Sequence, residues 1–342
     1  MTQNRQRVTI AVDAMGGDYA PHEIVKGSIQ ATRDIGGEKI EIVLVGVENE
    51  IHKEMAKYDT TGLPIRVENA DEVIRDGESP VLALRQKNNA SILRAMQLVK
   101  EGEVDAVVSM GSTGTVLVSA IQVLGTLAGI KRPSVGAILN GLAPNTVIFD
   151  LGTNVDCKPR DLLNFATIGC IVARKIMHIE KPSVAILSNG AEEGKGNKLA
   201  KDTYSLFKGN SFNFIGNVEG NDIPTGKANV IVCDGFVGNV LVKYSEGLGD
   251  VLIGKVGKYL EGKLSQEQVD SVCSNLYAMT HVADMNGGGM IYGVDGLVWI
   301  GHGRSKASQL VESIQQVKHA VDANVAQEIK IELGRLQNQN NT

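Results

Sequence analysis

With 342 residues, 43% of them hydrophobic, the chain can bury a core as one large α/β domain or two small ones, without disulfides or a structural metal. Aromatics reach only 4% and glycines number 39, so the core is aliphatic and tight turns are many. The net charge of −5 argues against a nucleic-acid coat or a polybasic membrane anchor.

Val8 to Val12 reads as a short strand, followed directly by Asp13-Ala-Met-Gly-Gly-Asp18, and Pro21 opens a helical pattern to about Thr32. Ile40 to Val45 and Ile65 to Glu68 are the next strands, with a helix from about Glu48 to Lys57 between them. Residues 80 to 100 look helical, broken near Asn88-Asn89. Asp105 to Ser109 is an apolar strand whose loop, Met110-Gly-Ser-Thr-Gly114, leads into a helix to about Leu127. Ser134 to Leu139 and Thr146 to Leu151 follow, then Gly152-Thr-Asn-Val-Asp-Cys-Lys-Pro159, where proline suits the first position of a helix to about Met177.

Ser183 to Leu187 is a buried strand, and the glycine-rich loop that closes at Asn197 precedes a helix from Lys198 to Phe207. Short strands follow at Asn213 to Ile215 and Asn229 to Cys233. The second of these ends at Asp234-Gly-Phe-Val-Gly-Asn239 and a further helix. Leu297 to Ile300, the loop Gly301-His-Gly-Arg-Ser305 and a helix to about Leu333 complete the pattern, with a tail at 336–342 expected to fray. No apolar run approaches the roughly 18 residues needed to span a bilayer. The polar start and the scattered Cys157, Cys170, Cys233 and Cys273 suit a cytoplasmic protein with reduced thiols.

The repeating unit is apolar strand, Gly/Asn/Asp loop, helix. It predicts a three-layer α/β/α fold, Rossmann-like, with a mainly parallel sheet, as a single domain over 1–335 with a helical hairpin at about 245–285. Ligands in such folds bind at the carboxyl ends of the strands, where the loops after Val12, Ser109, Leu151, Leu187, Cys233 and Ile300 collect. Those loops offer Asp13, Asp18, Ser112, Thr113, Asn154, Asp156, Lys158, Asn189, Glu192, Glu193, Lys195, Asn197, Asp234, Asn239, Lys243 and His302. No histidine pair has zinc-ligand spacing, no Gly-x-Ser-x-Gly elbow occurs, and no Gly-x-Gly-x-x-Gly follows a strand. What remains is a set of backbone N–H groups, hydroxyls, amides and lysines suited to a phosphate beside a polarised carbonyl. Asp13, Asp156 and Asp234 read equally well as caps of loops or helices.

Several of these segments resemble the bacterial phosphate acyltransferase family of phospholipid synthesis (PlsX). They are Ala11-Val-Asp-Ala-Met-Gly-Gly-Asp-Tyr-Ala-Pro21, Ala70-Asp-Glu-Val-Ile74, Ser109 to Gly114, Asp150 to Pro159, Leu187 to Asn197, Phe214 to Glu219, Val232 to Lys243 and Ile300-Gly-His-Gly303. The resemblance implies transfer of a fatty acyl group from acyl carrier protein to inorganic phosphate, giving acyl phosphate for phosphatidic acid and phospholipid synthesis. It also implies a fold similar to phosphotransacetylases and the isocitrate and isopropylmalate dehydrogenases. Phosphate itself attacks the thioester, which accounts for the missing covalent nucleophile, and no cofactor or metal is expected.

For phosphate, the candidates are Gly16, Gly17, Asp18, Ser112, Thr113, Gly114, Gly194, Gly196 and Asn197, with Lys195 and Lys158 as counter-charges. Asn154, Asn189 and Asn239 are candidates for the thioester oxygen, and Asp234 or His302 for the departing thiol. Lys198, Lys201 and Lys208 form a candidate face for the acidic acyl carrier protein. Implied partners are that carrier, a second copy in a homodimer, and the membrane glycerol-3-phosphate acyltransferase, with no nucleic acid and weak membrane attachment at most. A phosphotransacetylase-like enzyme using short-chain acyl-CoA, and a non-catalytic scaffold binding acyl phosphate or the carrier, are the alternatives. Two positions depart from the family: Asn286-Gly-Gly-Gly-Met-Ile-Tyr-Gly293 replaces a Tyr-Gly-Gly-Ala-Pro-like stretch, and Arg304 stands where serine is common.

Overall fold

The computed structural model describes residues 7–75, 77–139 and 141–339. In chain order the first elements are β1 (Val8–Asp13), α1 (His22–Ile35), β2 (Ile40–Gly46), α2 (Glu48–Met55), β3 (Ile65–Asn69), α3 (Pro80–Gln86), α4 (Ser91–Glu101), β4 (Ala106–Ser109) and α5 (Thr113–Val123). Then come β5 (Ser134–Ile138), β6 (Val147–Phe149), α6 (Pro159–Lys175), β7 (Ser183–Leu187), α7 (Lys198–Lys208), β8 (Asn213–Val218), a 3₁₀ turn (Gly220–Thr225) and β9 (Val230–Val232). The chain finishes with α8 (Gly235–Leu260), α9 (Gln266–Thr280), α10 (Val282–Met285), β10 (Gly289–Tyr292), β11 (Leu297–Ile300), α11 (Ala307–Asp322) and α12 (Val325–Gln339).

The chain packs as two compact units, one built from 1–133 with 286–342 and the other from 134–285. The sequence pattern suggests a single domain over 1–335. What it hides is that the first unit is discontinuous, left at Pro133 and re-entered at Asn286. In the first unit the strands run in the order β3-β2-β1-β4-β11-β10, parallel throughout except for β10, which is antiparallel to β11. Helices α1 and α11 cover one face and α4 and α5 the other. Both faces being covered, β4 is fully buried, as its unbroken Ala-Val-Val-Ser run requires. Gly27 permits the α1–α11 approach, since a Cβ there would lie 2.8 Å from the Ala307 carbonyl oxygen.

In the second unit the order is β5-β6-β9-β7-β8, with β5 antiparallel to β6 and the remaining pairs parallel. Helix α6 is buried along Leu162 to Ala173 and stacks Phe165 on Phe149, ring centroids 6.4 Å apart. Helices α8 and α9 form the expected hairpin, but α8 is 26 residues long and begins at Gly235, well before residue 245. Gly249 lies against Thr280, whose carbonyl accepts a 3.1 Å hydrogen bond from the Ser245 hydroxyl.

Other departures have local causes. Helix α5 stops at Val123 rather than near Leu127, because Gly125 turns to a φ of 80° and Thr126 bridges to Val294. The glycine run before Met290 turns the chain into strand β10, which starts at Gly289: Gly287 and Gly288 hold positive φ and press on Ser313 and Ile300, leaving no room for side chains. The terminal helix is two helices, parted at Asn324 with a φ of 56°. The tail expected from 336 stays helical to Gln339, and residues 340–342 lie outside those described. No helix among the described residues is long and apolar enough to cross a membrane.

Candidate functional site

Parallel neighbours send their following loops to the same edge, so the loops after β1, β4 and β11 gather in the first unit. Asp13 fastens two of them. Its buried carboxylate accepts the Ser91 hydroxyl at 2.6 Å, the Ser109 hydroxyl at 2.7 Å and the Met15 N–H at 3.3 Å. Burial pushes this carboxyl above its ordinary value, against the pull of those hydrogen bonds. Gly16 closes over it, since a Cβ there would sit 2.6 Å from the Asp13 carboxylate and 2.9 Å from the Gly111 nitrogen. The Asp18 N–H donates to the Gly303 carbonyl at 2.8 Å and so joins the loop that carries His302, which is half-buried. Ser112 caps α5, accepting the Thr115 N–H at 3.4 Å and donating to the Thr115 hydroxyl at 2.8 Å.

These loops border a cavity of about 230 Å³ whose walls include Gly16, Gly17, Asp18, Gly111 and Ser112. Thr113 and Gly114 begin α5 just beyond it, exposed and outside the lining. Its one basic wall residue, Arg75, was not singled out in the sequence. The segment carrying Arg75 is clamped from both sides. Glu78 accepts the Arg75 N–H at 2.7 Å and the Lys87 ammonium at 2.7 Å, while Lys87 also donates to the Val73 carbonyl at 2.7 Å. The Lys87 hydrogen bond, then that from the Arg75 backbone, holds the Glu78 carboxyl below its usual range.

In the second unit the loops after β6, β7 and β9 share an edge by the same logic. Asp150 is fully buried and gathers the loop after β6 around itself, accepting N–H bonds from Gly152 (3.1 Å), Thr153 (2.8 Å) and Asn154 (3.0 Å). It also takes the Asn154 side-chain amide at 2.6 Å, so that amide serves the loop itself. Gly235 and Gly238 bring the start of α8 onto this loop, where the Gly235 N–H donates to the Asn154 carbonyl at 2.8 Å. Asp234 caps α8 through a 2.9 Å bond from the Val237 N–H, and Asn239 lies over Gly152. Lys158 precedes α6 with its backbone N–H on Asp161 at 2.8 Å and its side chain exposed.

The loop from Ser188 to Asn197 is pinned at three points. Asn197 caps α7 by accepting the Ala200 N–H at 2.9 Å, the Asn217 amide donates to the Glu192 carbonyl at 3.0 Å, and Glu193 pairs with Lys208 at 2.9 Å. The last contact explains an acidic residue in a loop expected to hold an anion. It also neutralises one of the three lysines assigned to the carrier, leaving Lys198 and Lys201 exposed on α7. Beside the loop lies a second cavity, about 370 Å³, lined by Gly196, Asn197, Asn189 and Asp234 among apolar residues. Gly194, Lys195, Lys158, Asn154 and Asn239 do not line it, and Lys195 stands exposed. Thus Gly16, Gly17, Asp18 and Ser112 come together in one unit, and Asn189, Gly196, Asn197 and Asp234 in the other. The four cysteines are free thiols; burial pushes Cys157 up to about 12 and Cys233 higher still, so neither is a thiolate nucleophile at neutral pH.

The mainly parallel sheet flanked by helices is the α/β fold that phosphotransacetylases share. A phosphotransacetylase from Streptococcus pyogenes superposes with a TM-score of 0.63 at 16% identity, covering 93% of this chain and 94% of that one. A 4-hydroxythreonine-4-phosphate dehydrogenase from Klebsiella pneumoniae reaches 0.51 at 13% identity, covering 96% and 100%. The profile of a family described as fatty acid synthesis protein matches residues 8–328. The phosphate acyltransferase of Dictyoglomus thermophilum is 41% identical over 326 residues, covering 94% of this chain and 96% of its own. That of Thermosynechococcus vestitus is 41% identical over 334 residues, covering 96% of both. The chain belongs to this fatty acid synthesis protein family, that of the phosphate acyltransferases.

Proposed function

We propose that the chain transfers a fatty acyl group from acyl carrier protein to inorganic phosphate, releasing acyl phosphate and the free carrier thiol. A phosphate oxygen attacks the thioester carbonyl carbon, the carbon–sulfur bond breaks, and the sulfur leaves with a proton. No enzyme nucleophile is needed, in keeping with the protonated cysteines, so the protein's tasks are positioning and charge stabilisation.

The observation that carries the reading is the cavity after β1 and β4, which is lined by Gly16, Gly17, Gly111, the capped start of α5 and Arg75. Backbone N–H groups at a helix start and a planar cation are the groups that bind phosphate. We assign phosphate to Gly16, Gly17, Ser112 and Arg75, in place of Lys195 and Lys158. His302, on the loop that Asp18 joins through the Gly303 carbonyl, protonates the departing sulfur. Lys198 and Lys201 face the acidic carrier, and the exposed apolar stripe of α8 (Phe236, Val240, Tyr244, Leu248, Val251) is covered by a second copy of the chain.

Purified protein mixed with long-chain acyl carrier protein and phosphate should yield acyl phosphate and free thiol in equal amounts. Turnover of short-chain acyl-CoA in preference to the carrier thioester would instead favour a phosphotransacetylase-like activity. No acyl phosphate from either donor would end the proposal.

A further inference from the structure

The cavity beside the Ser188–Asn197 loop has the wrong chemistry for an anion. Its walls are Leu162 from α6, Ile186 from β7, Leu199 and Ala200 from α7, Val237 from α8, and Cys233. Leu162 and Ile186 are each about 1% exposed, so they form its floor, while Leu199 and Val237 are open to solvent in part and form its rim. The Cys233 thiol is held protonated by burial and behaves as a small apolar surface. No basic residue lines the space, whereas Arg75 lines the other cavity, so nothing here offsets the charge of a phosphate. Of its polar members, Asn197 and Asp234 each spend a side-chain oxygen on a helix cap, while the buried Ser188 hydroxyl has no hydrogen-bond partner among the described residues. The Asn189 amide is exposed and makes no hydrogen bond among the described residues.

A mainly apolar space with two uncommitted donors, the Ser188 hydroxyl and the Asn189 amide, fits an aliphatic chain ending in a carbonyl. We infer that this cavity binds the hydrocarbon chain of the acyl donor, and that Leu199 and Val237 at its rim set the chain length the protein accepts. The inference rests on the acyl-transfer reading above. The helix that supplies Leu199 and Ala200 also presents Lys198 and Lys201 outward, so an acidic carrier docked on α7 delivers its acyl chain next to this opening.

The test substitutes Val237→Trp and Leu199→Trp at the rim, where bulk narrows the cavity without entering the core. Val237→Ala is the widening counterpart. For each variant, kcat/KM is measured with hexadecanoyl and butanoyl carrier protein, and the ratio of the two is the readout. Narrowing should lower the hexadecanoyl-to-butanoyl ratio by about tenfold or more, the scale set by a few mismatched methylenes. Val237→Ala should move the ratio the other way.

Binding of a non-reactive hexadecanoyl thioether of the carrier's prosthetic arm supplies a second measurement that needs no turnover. Its Kd should rise about tenfold in Val237→Trp relative to the butanoyl thioether. If the wild-type protein forms acyl phosphate yet both ratios stay within about twofold in all variants, the chain lies elsewhere and the inference fails while acyl transfer stands. If no acyl phosphate forms but thioether binding still follows Val237, the cavity assignment holds and the transfer reading is what fails.

Discussion

Arg75 is the residue whose loss should discriminate most sharply between the two substrates. A charge-assisted hydrogen bond to an anion contributes roughly 1.5–3 kcal/mol, so Arg75→Ala should raise the phosphate KM by about tenfold or more. Arg75→Lys should recover part of it, since lysine keeps the charge but loses the planar fork. Initial rates against phosphate concentration decide the matter, and a phosphate KM within about twofold of wild type in Arg75→Ala removes Arg75 from the site. Asp13 makes the opposite kind of prediction, because its hydrogen bonds fasten loops. Burial holds its carboxyl above the ordinary 3.8, so the folded protein keeps a proton that the unfolded chain has released. With the folded state binding more protons, stability contributed at this position falls as pH rises from about 3.8 through the raised folded-state value. In urea melts from about pH 4 to about pH 7, Asp13→Asn should therefore gain on wild type as pH increases. A difference in unfolding free energy that does not change with pH would show that Asp13 is not charged against its surroundings.

Among the elements, α8 and α7 carry surfaces that their own unit leaves open. The i, i+4 row Phe236, Val240, Tyr244 and Leu248 is exposed along one side of α8, while Val256 and Leu260 are half-buried. The proposed contact between copies uses this stripe, which the pairing of α8 with α9 leaves exposed. Tyr244→Lys with Val251→Lys should turn a sedimenting dimer into a monomer at micromolar concentration, and a variant that stays dimeric would put the interface elsewhere. On α7, reversing Lys198 and Lys201 to glutamate should raise the KM for the carrier thioester steeply. Lys208→Glu should have a smaller effect, because Lys208 is already spent on Glu193. Equal effects from all three would contradict this division. The long periodic elements were readable in the residues. Strand β10 was not, because the turn glycines that lead into it, Gly287 and Gly288, make the whole stretch resemble a loop. The division of α11 from α12 has no Gly or Pro to announce it, only Asn324 in a left-handed turn.

For the molecule as a whole, the loops that matter were legible because strand-loop-helix repeats expose their glycines and caps. Which chemistry each loop serves was not. A lysine among three glycines at 190–196 reads as an anion cradle, yet Lys195 is exposed and does not line the neighbouring cavity, whose walls include helix positions such as Leu162 and Leu199. In sequence those positions look like any core residue. Arg75 lies in the loop between β3 and α3, which carries no glycine cluster to draw the eye, and its backbone is held there by Glu78, itself paired with Lys87. The division into two units, each with its own cavity, leads to a test on the intact protein. Ligands slow hydrogen exchange where they order backbone that otherwise opens locally. Saturating phosphate should slow exchange at 14–18 and 110–116, around the Arg75 cavity, and leave 186–200 near its free rate. A hexadecanoyl thioether should do the reverse, protecting 186–200 and the first turn of α8. Protection of 186–200 by phosphate alone would return the anion to the lysine-bearing loop and overturn the assignment of both cavities.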